Sequence, residues 1–362
     1  MKNTQSIQSN DNQQAERPRP ASNGMRLLVS GGAGFIGSNF IRYMLATYPD
    51  VEIVNFDKLT YAGNLDNLAD VINNPCYHFV QGDICNLDEL NAVIKKYQID
   101  HIINFAAETH VDRSIHGGCK DFVLTNTLGV QMLLDAARGN SVKKMVNVST
   151  DEVYGALRLD DSLKFTESTP VAPNMPYAAA KAGGDLMCNA YFVTHKVPVV
   201  VTHCSNNYGP YQFPEKLIPF FIFRLLNNQK VPMYGDGLYV RDWIHVTDHA
   251  SALDLLLRQG EPGGVYNIGV DNERSNMEIT KMILRIMGKG EDMIEHVEDR
   301  PGHDRRYAID ASKILALGWK PVYTREKFEQ GIQETVQWYL ENTVWVDALR
   351  KRQVELNTHI AI

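Results

Sequence analysis

Tyr177 and Lys181 stand four residues apart in the run Pro176-Tyr177-Ala178-Ala179-Ala180-Lys181. Proline suits the first turn of a helix, so the spacing predicts one helix with both side chains on one face. An ammonium beside a phenol favours the phenolate. Lys181 is therefore expected to lower the Tyr177 pKa and make it a base toward a substrate hydroxyl. A second constellation lies upstream, in Ser149-Thr150-Asp151-Glu152-Val153-Tyr154-Gly155. Thr150 offers a hydroxyl to a polar substrate, and Asp151 and Glu152 are adjacent acids. Neighbouring carboxyl groups in unlike environments divide into proton donor and proton acceptor. Spacing alone also admits two solvated loop acids.

The third constellation, Gly31-Gly32-Ala33-Gly34-Phe35-Ile36-Gly37, has the form GxxGxxG. Glycines there permit a tight turn and let the backbone approach a diphosphate, which then faces a helix amino terminus. Asp57 follows Gly37 by twenty residues, at the end of the next strand-like run. A carboxylate there accepts hydrogen bonds from adenosine ribose hydroxyls and repels a 2′-phosphate, which selects NAD over NADP.

These groups need a frame. Short apolar runs at Met25–Ser30, Val51–Asp57, Tyr77–Gln81, Ile99–Phe105, Lys143–Thr150 and Val197–Cys204 read as buried parallel strands. Helical spacing separates most of them, as in Ser38–Tyr48, Leu87–Tyr97 and Asn126–Arg138. The alternation predicts an α/β fold, a Rossmann-like doubly wound parallel sheet. Its carboxyl strand ends face the ligand crevice. The pattern turns irregular after about residue 206, with Pro210, Pro214, Pro219 and Pro232, and is strand-like again at Gly264–Gly269. The expected organisation is a tail over 1–24, an NAD-binding domain over 25–205 with a return near 240–270, a smaller mixed α/β substrate-binding domain mainly over 206–340 and interleaved with it, and a carboxy-terminal helix or tail over 341–362.

The 362 residues are 44% hydrophobic and 22% charged, with a net charge of −7. Those are globular proportions. The acidic balance argues against a nucleic-acid or anionic-membrane binder, so an anionic substrate calls for a local cationic cluster. No apolar run is long enough to span a membrane. The first 24 residues, rich in Asn, Gln, Ser and Pro, lack a secretory h-region and read as a disordered tail. Five cysteines without CxxC spacing fit a reducing compartment, so the expected location is the cytoplasm. No metal motif occurs among the scattered histidines.

The combination of GxxGxxG and YxxxK resembles the extended short-chain dehydrogenase/reductase superfamily. The stretches SGGAGFIGSNF, NFAAETHVDRSI, STDEVYG, PYAAAK, CSNNYGPYQFPEKLIP, VRDWIHVTDH and DRPGHDRRYAID, between residues 30 and 310, resemble its dTDP-glucose 4,6-dehydratase branch. The TDE motif is the specific part. The resemblance implies a hydro-lyase acting on a nucleoside-diphosphate hexose. Tyr177 takes the 4-hydroxyl proton while NAD oxidises C4, Glu152 removes the C5 proton, Asp151 protonates the departing 6-hydroxyl, and the hydride returns to C6. A UDP-hexose 4,6-dehydratase and a nucleotide-sugar 4-epimerase are the alternatives. The sequence leaves thymine against uracil open, since one methyl group discriminates only about 1–3 kcal/mol. It likewise names no pathway downstream of the product.

The resemblance also carries contacts over, one residue at a time. For NAD they are Gly31, Gly34, Phe35, Ile36, Gly37, Asp57, Lys58, Leu59, Thr60, Asp83, Ile84, Ala106, Ala107, Thr125 and Asn207, with Tyr177 and Lys181. For the sugar nucleotide they are His110, Thr150, Asn206, Lys216, Leu217, Pro232, Tyr234, Arg241, Asn276, Asp299, Arg300 and His303. A structural role for His110 is an equal reading, and Arg305 and Arg306 read equally as ion-pair residues. Three features depart from the family pattern. Ala178 to Ala180 replace serines, Ser30 replaces threonine, and His203 stands where arginine is more usual. The resemblance also implies a homodimer in which the helices over 120–138 and 176–194 pair into a four-helix bundle, and an isologous dimer would bury their apolar surplus. It comprises Phe122, Val123, Leu124, Val130, Leu133 and Leu134 on one helix, and Leu186, Met187, Tyr191 and Phe192 on the other.

Overall fold

The computed structural model describes residues 24–299 and 303–356. The tail over 1–23, the last six residues and Arg300 lie outside them. Seven strands form one parallel sheet in the order β10-β6-β5-β4-β1-β2-β3. In chain order its strands are β1 (Arg26–Ser30), β2 (Glu52–Asp57), β3 (Tyr77–Gln81), β4 (His101–Asn104), β5 (Lys144–Thr150) and β6 (Val199–Cys204). Strand β10 (Val265–Ile268) closes the edge beside β6, with Tyr266 paired to Thr202. The remaining strands, β7 (Asn206–Tyr208), β8 (Val231–Tyr234), β9 (Val240–His245), β11 (Glu273–Ser275) and β12 (Ile294–Val297), form two small sheets in the cap.

The strand residues are apolar on both sides because helices cover both faces. One face buries Leu27, Val29, Ile53, Val146 and Val200 under the helices Phe35–Thr47 and Val246–Gln259. The other buries Leu28, Val54, Ile102, Met145 and Val201 under Leu87–Tyr97, Val130–Gly139 and Pro176–His195. A third core, around Phe221, Ile222, Ile283, Phe328 and Ile332, holds the cap together.

The expected dimer surplus is smaller than the sequence suggests. Phe122, Val130, Leu133 and Leu134 are fully buried within the protomer's own core. Val123 (47% exposed), Leu124 (37%), Leu186 (58%) and Val193 (56%) are left at the surface of the same two helical segments. A 3.6-residue period marks apolar positions but not which neighbour covers them.

Candidate active site

At the end of β1 the chain turns through Gly31, at φ +72°, into the helix Phe35–Thr47. A Cβ on Gly31 would lie 2.4 Å from the Ala106 backbone nitrogen, and one on Gly37 2.5 Å from the Gly31 carbonyl oxygen. Both positions are glycine because main chain meets main chain there. Gly34 caps the helix with no side-chain hydrogen bond, which leaves the first-turn N–H groups to an anion. Asp57, at the end of β2, is buried and accepts from the Ala33 (2.9 Å) and Leu59 (2.8 Å) backbone N–H groups. Burial raises its pKa and these two bonds oppose the rise. One N–H on each oxygen leaves acceptor capacity for ribose hydroxyls.

The neighbouring loops complete this cradle. Lys58 pairs with Asp83 at 2.7 Å, and Ile84 is buried behind them. Beyond β4, the Ala106 N–H donates to Asn104 Oδ1 (3.1 Å), with Ala107 next in the loop. Asn126 pins that loop, accepting from the Glu108 N–H (2.9 Å) and donating to the Glu108 carbonyl (3.0 Å). Thr125 and Asn126 sit in the wide helical turn Leu124–Gly129. The crowded glycines, the uncapped helix start and the doubly anchored Asp57 are a donor set that fits NAD.

Tyr177 and Lys181 follow Pro176 in the first turns of the helix Pro176–His195, and both are buried. The Lys181 ammonium donates to the Val148 carbonyl at 2.7 Å. Ala178 and Ala180 pack with Phe122 and Val111 around Tyr177. Thr127, on the adjacent helix, donates its hydroxyl to the Ala180 carbonyl (2.8 Å). Burial raises the Tyr177 pKa well above the ordinary phenol value, with Glu152 and Cys204 adding to the rise and the Thr150 hydroxyl opposing it. Burial also lowers the Lys181 pKa, against Asp185. The expected lowering of the Tyr177 pKa is not what the structure shows: burial and the nearby acids push it up.

Thr150 ends β5 and caps the turn Asp151–Tyr154, its hydroxyl accepting from the Glu152 N–H (3.3 Å). Asp151 is only 2% exposed, and its Oδ2 has no hydrogen-bond partner. Burial first, then the Glu152 and Asp242 carboxylates, push its pKa well above the usual range, while Arg241 pulls it down. Burial thus favours the protonated form of Asp151, beside a partly buried Glu152 that opens to the cavity. The two adjacent acids occupy different environments.

That cavity, about 860 Å³, lies between the carboxyl strand ends and the cap. Of the residues expected from sequence it is lined by Thr60, His110, Glu152, Asn206, Asn207, Lys216, Leu217, Pro232, Tyr234, Arg241, Asn276 and His303. Asp299 stands behind the wall and pairs with His303 Nδ1 at 2.8 Å. The imidazole of His303 stacks on Tyr239 at 3.6 Å. Asn207 turns its amide inward, donating to the Ser205 carbonyl (3.0 Å) and meeting His249 Nδ1 at 2.9 Å. Arg241 donates to the Val240 (2.8 Å) and Asp304 (2.9 Å) carbonyls and stacks on Tyr307. Arg305 pairs with Asp236 (3.0 and 2.9 Å) and Arg306 with Glu273 (2.6 and 2.9 Å). For these two, ion pairing is what the structure shows.

Sequence reasoning passed over Tyr61, Glu108, Arg113, Gln212, Glu215 and Tyr307, which share the cavity wall. Glu215 is the hub. Tyr61 donates to it (3.4 Å), Lys216 lies 3.5 Å away and His110 Nε2 3.7 Å away. Its one sequence signal was adjacency to Lys216. His110 also caps the helix Val111–His116 through Nδ1, so its structural role and its place in the wall coexist. Among the described residues no cluster could hold a metal ion, and no helix is long and apolar enough to cross a membrane.

The family model for GDP-mannose 4,6 dehydratase matches residues 28–335. The low-salt glycan biosynthesis protein Agl12 of Haloferax volcanii is 51% identical, over 87% of this chain and 99% of that protein. The dTDP-glucose 4,6-dehydratase of Streptomyces niveus is 49% identical, over 90% of this chain and 96% of that protein. Among solved structures, the dTDP-glucose 4,6-dehydratase of Bacillus anthracis in complex with NAD is 51% identical. It superposes with a TM-score of 0.83 over 90% of this chain and 99% of that one.

Proposed function

The chain belongs to the GDP-mannose 4,6 dehydratase family, and from that premise we propose that it is an NAD-dependent hydro-lyase converting dTDP-glucose to dTDP-4-keto-6-deoxyglucose. Bound NAD supplies the acceptor that takes up hydrogen from C4 and gives it back at C6. The protein's own residues handle the protons. Tyr177 accepts the 4-hydroxyl proton, and Lys181 steadies the phenolate by charge. The resulting ketone acidifies C5–H, and Glu152, at the cavity wall, removes that proton and gives it back to C5 after water has left and C6 has been reduced. Asp151 holds a proton of its own and delivers it to the 6-hydroxyl as water departs. The cradle at Gly31–Gly37 and Asp57 holds the cofactor, and Lys216, Arg241 and His303 face the diphosphate.

The observation that carries this reading is the buried Asp151 acid beside Glu152. A 4-epimerase oxidises and reduces the same carbon and has no use for a second acid that must lose a proton. The test is incubation with dTDP-glucose and with UDP-glucose, followed by detection of a 4-keto-6-deoxy product. A 4-epimer formed in its place, from either nucleotide, would overturn the assignment.

The sugar nucleotide is held mainly by residues 206–340, with residues 25–205 and the return at β10 as the NAD domain. Two copies pair through the exposed Val123, Leu124, Leu186 and Val193, supported by their exposure on two helical segments that pack together. Five free thiols suit a reducing cytoplasm.

A further inference from the structure

A line of buried polar side chains crosses the main sheet and ends at Asp185. The Ala106 N–H fixes the Asn104 amide by donating to its Oδ1 (3.1 Å), as does the Ser30 hydroxyl (2.7 Å). Asn104 Nδ2 then donates to Asn147 Oδ1 (2.9 Å), and Asn147 Nδ2 to Asp185 Oδ1 (3.1 Å). The Ser149 hydroxyl donates to Asp185 Oδ2 (2.7 Å). A second line arrives from the sheet edge. Asn267 Nδ2 donates to the Phe165 carbonyl (3.0 Å), so its Oδ1 faces Tyr154 and accepts that hydroxyl's proton (2.8 Å). The Tyr154 oxygen, its only proton committed, accepts from His203 Nδ1 (2.7 Å). His203 Nε2 lies 3.2 Å from Asp185 Oδ2. A carboxylate can only accept, so in this arrangement both ring nitrogens face acceptors. Asp185 thus faces the Asn147 amide, the Ser149 hydroxyl and the His203 ring, and neither Asp185 nor His203 is more than 8% exposed.

We propose that Asp185 is a positioning residue for the Tyr177–Lys181 pair and that the imidazolium of His203 is the counter-ion that fixes it. Asp185 lies one turn beyond Lys181 on the helix Pro176–His195. Burial drives the lysine toward its neutral form, and the Asp185 charge is the largest influence opposing that loss. In this proposal its influence on the phenol runs through the lysine one turn away. The other titratable groups at this site are Cys204 at the end of β6, Cys188 on the same helix, Tyr154 from the turn after β5, and Glu167 from the loop before that helix. Glu167 accepts from the Asn267 N–H (2.9 Å) and adds negative charge on the imidazolium's side. His203 and Asp185 also border a separate cavity of about 140 Å³, with Glu167, Cys188 and Asn189 in its wall. It shares no lining residue with the sugar cavity. The departure at His203 therefore keeps a cation on Asp185.

This inference rests on the proposed role of the Tyr177–Lys181 pair, and the experiment separates the two. Ring nitrogen chemical shifts of 15N-histidine-labelled, ligand-free protein at pH 7 are expected to show His203 protonated on both nitrogens. A neutral tautomer there overturns the counter-ion assignment. Single-turnover sugar oxidation is then followed against pH, with NAD occupancy measured in each variant. In Asp185→Asn the acid limb moves to higher pH by about one unit or more, the size of shift that loss of a close opposite charge brings. His203→Phe moves it the same way by less, and His203→Arg restores it. Limbs that stay at the parental position in folded, NAD-loaded Asp185→Asn and His203→Phe overturn the proposal. If Asp185→Asn does not fold, the His203→Phe and His203→Arg pair decides alone. A Tyr177→Phe protein that still oxidises the sugar sinks the reading of the pair itself, whatever the limbs do.

Discussion

The cradle at the end of β1 and the cavity under the cap serve one substrate–cofactor pair but are assembled by opposite means. In the cradle the groups turned toward an anion are main-chain N–H groups, and the acid beside them is anchored from nearby in the chain. Asp57 reaches back 24 residues to Ala33 and forward two to Leu59. In the cavity the work is done by side chains brought from afar. Tyr61 meets Glu215 across 154 residues of sequence, and Lys216 meets Thr109 across 107. Between the two lie β5 and the helix Pro176–His195, which carry the groups proposed to react. A backbone site depends on which residues lack side chains, whereas a side-chain site depends on the whole tertiary arrangement.

The largest effects should come from the elements shared by both regions. Tyr177→Phe removes the group that accepts the 4-hydroxyl proton, and sugar oxidation should fall by as much as ~10⁴-fold, with no reduced nicotinamide absorbance. Asp151→Asn and Glu152→Gln leave that step intact. Oxidation should persist, reduced nicotinamide should build up, and water loss should drop by ~10²–10⁴. A shared disturbance of geometry would slow both steps together, so the ratio of the two rates is the readout. Carboxylate variants that turn over like the parent would leave Asp151 and Glu152 as solvated loop acids after all.

The contrast between regions predicts that their variants dissociate. Gly31→Ala places a Cβ at φ +72° and 2.4 Å from the Ala106 nitrogen. It should cost about 1–3 kcal/mol in thermal stability and strip bound NAD from the purified protein. Glu215→Gln removes the charge at the centre of the cavity wall. It should raise the KM for the sugar nucleotide by about tenfold, the worth of one charge-assisted hydrogen bond, with NAD content unchanged. A Glu215 variant that loses NAD, or a Gly31 variant that keeps it, would break the division.

The same contrast explains what could be read from sequence. The glycine loop, Asp57 and the strand–helix alternation were legible because each is set by consecutive residues. The TDE and YxxxK motifs point to where chemistry is proposed, but not to its electrostatics. Spacing put Lys181 and Tyr177 on one helix and could not reveal that burial pushes the phenol's pKa up. Asn126, Glu215, Tyr307 and Asp185 were passed over, because their roles exist only once β4, β5 and the cap have met. Phe122 and Leu133 looked like interface residues for the same reason, since periodicity does not say that Val130–Gly139 buries them inward.

The smallest effect concerns a residue that joins the regions without touching a ligand. His249, on the helix Val246–Gln259, is fully buried and binds Asn207 Oδ1 through Nδ1 at 2.9 Å. Because Asn207 Nδ2 is committed to the Ser205 carbonyl, Nδ1 carries the proton, and the buried Nε2 has no hydrogen-bond partner. Burial lowers the His249 pKa to about 3. An unfolded histidine titrates near 6.5, so the native state binds this proton less readily than the unfolded one. The contribution of His249 is thus fully present above about pH 6.5 and is lost as pH falls from there toward 3. Asp242 and Asp254, with pKa values raised to about 6 and about 7, act in the opposite sense and lose stabilisation as pH rises through those values. The whole-protein curve mixes the signs, so the difference between parent and variant isolates the histidine. His249→Gln keeps an amide donor for Asn207 and cannot titrate. Urea unfolding at pH 7, 6 and 5 should show a parental stability that falls relative to the variant by up to ~1.4 kcal/mol per pH unit below about 6.5. Parallel curves for the two proteins would mean that His249 is solvated, and that the wall behind Asn207 is as open as the sugar cavity it borders.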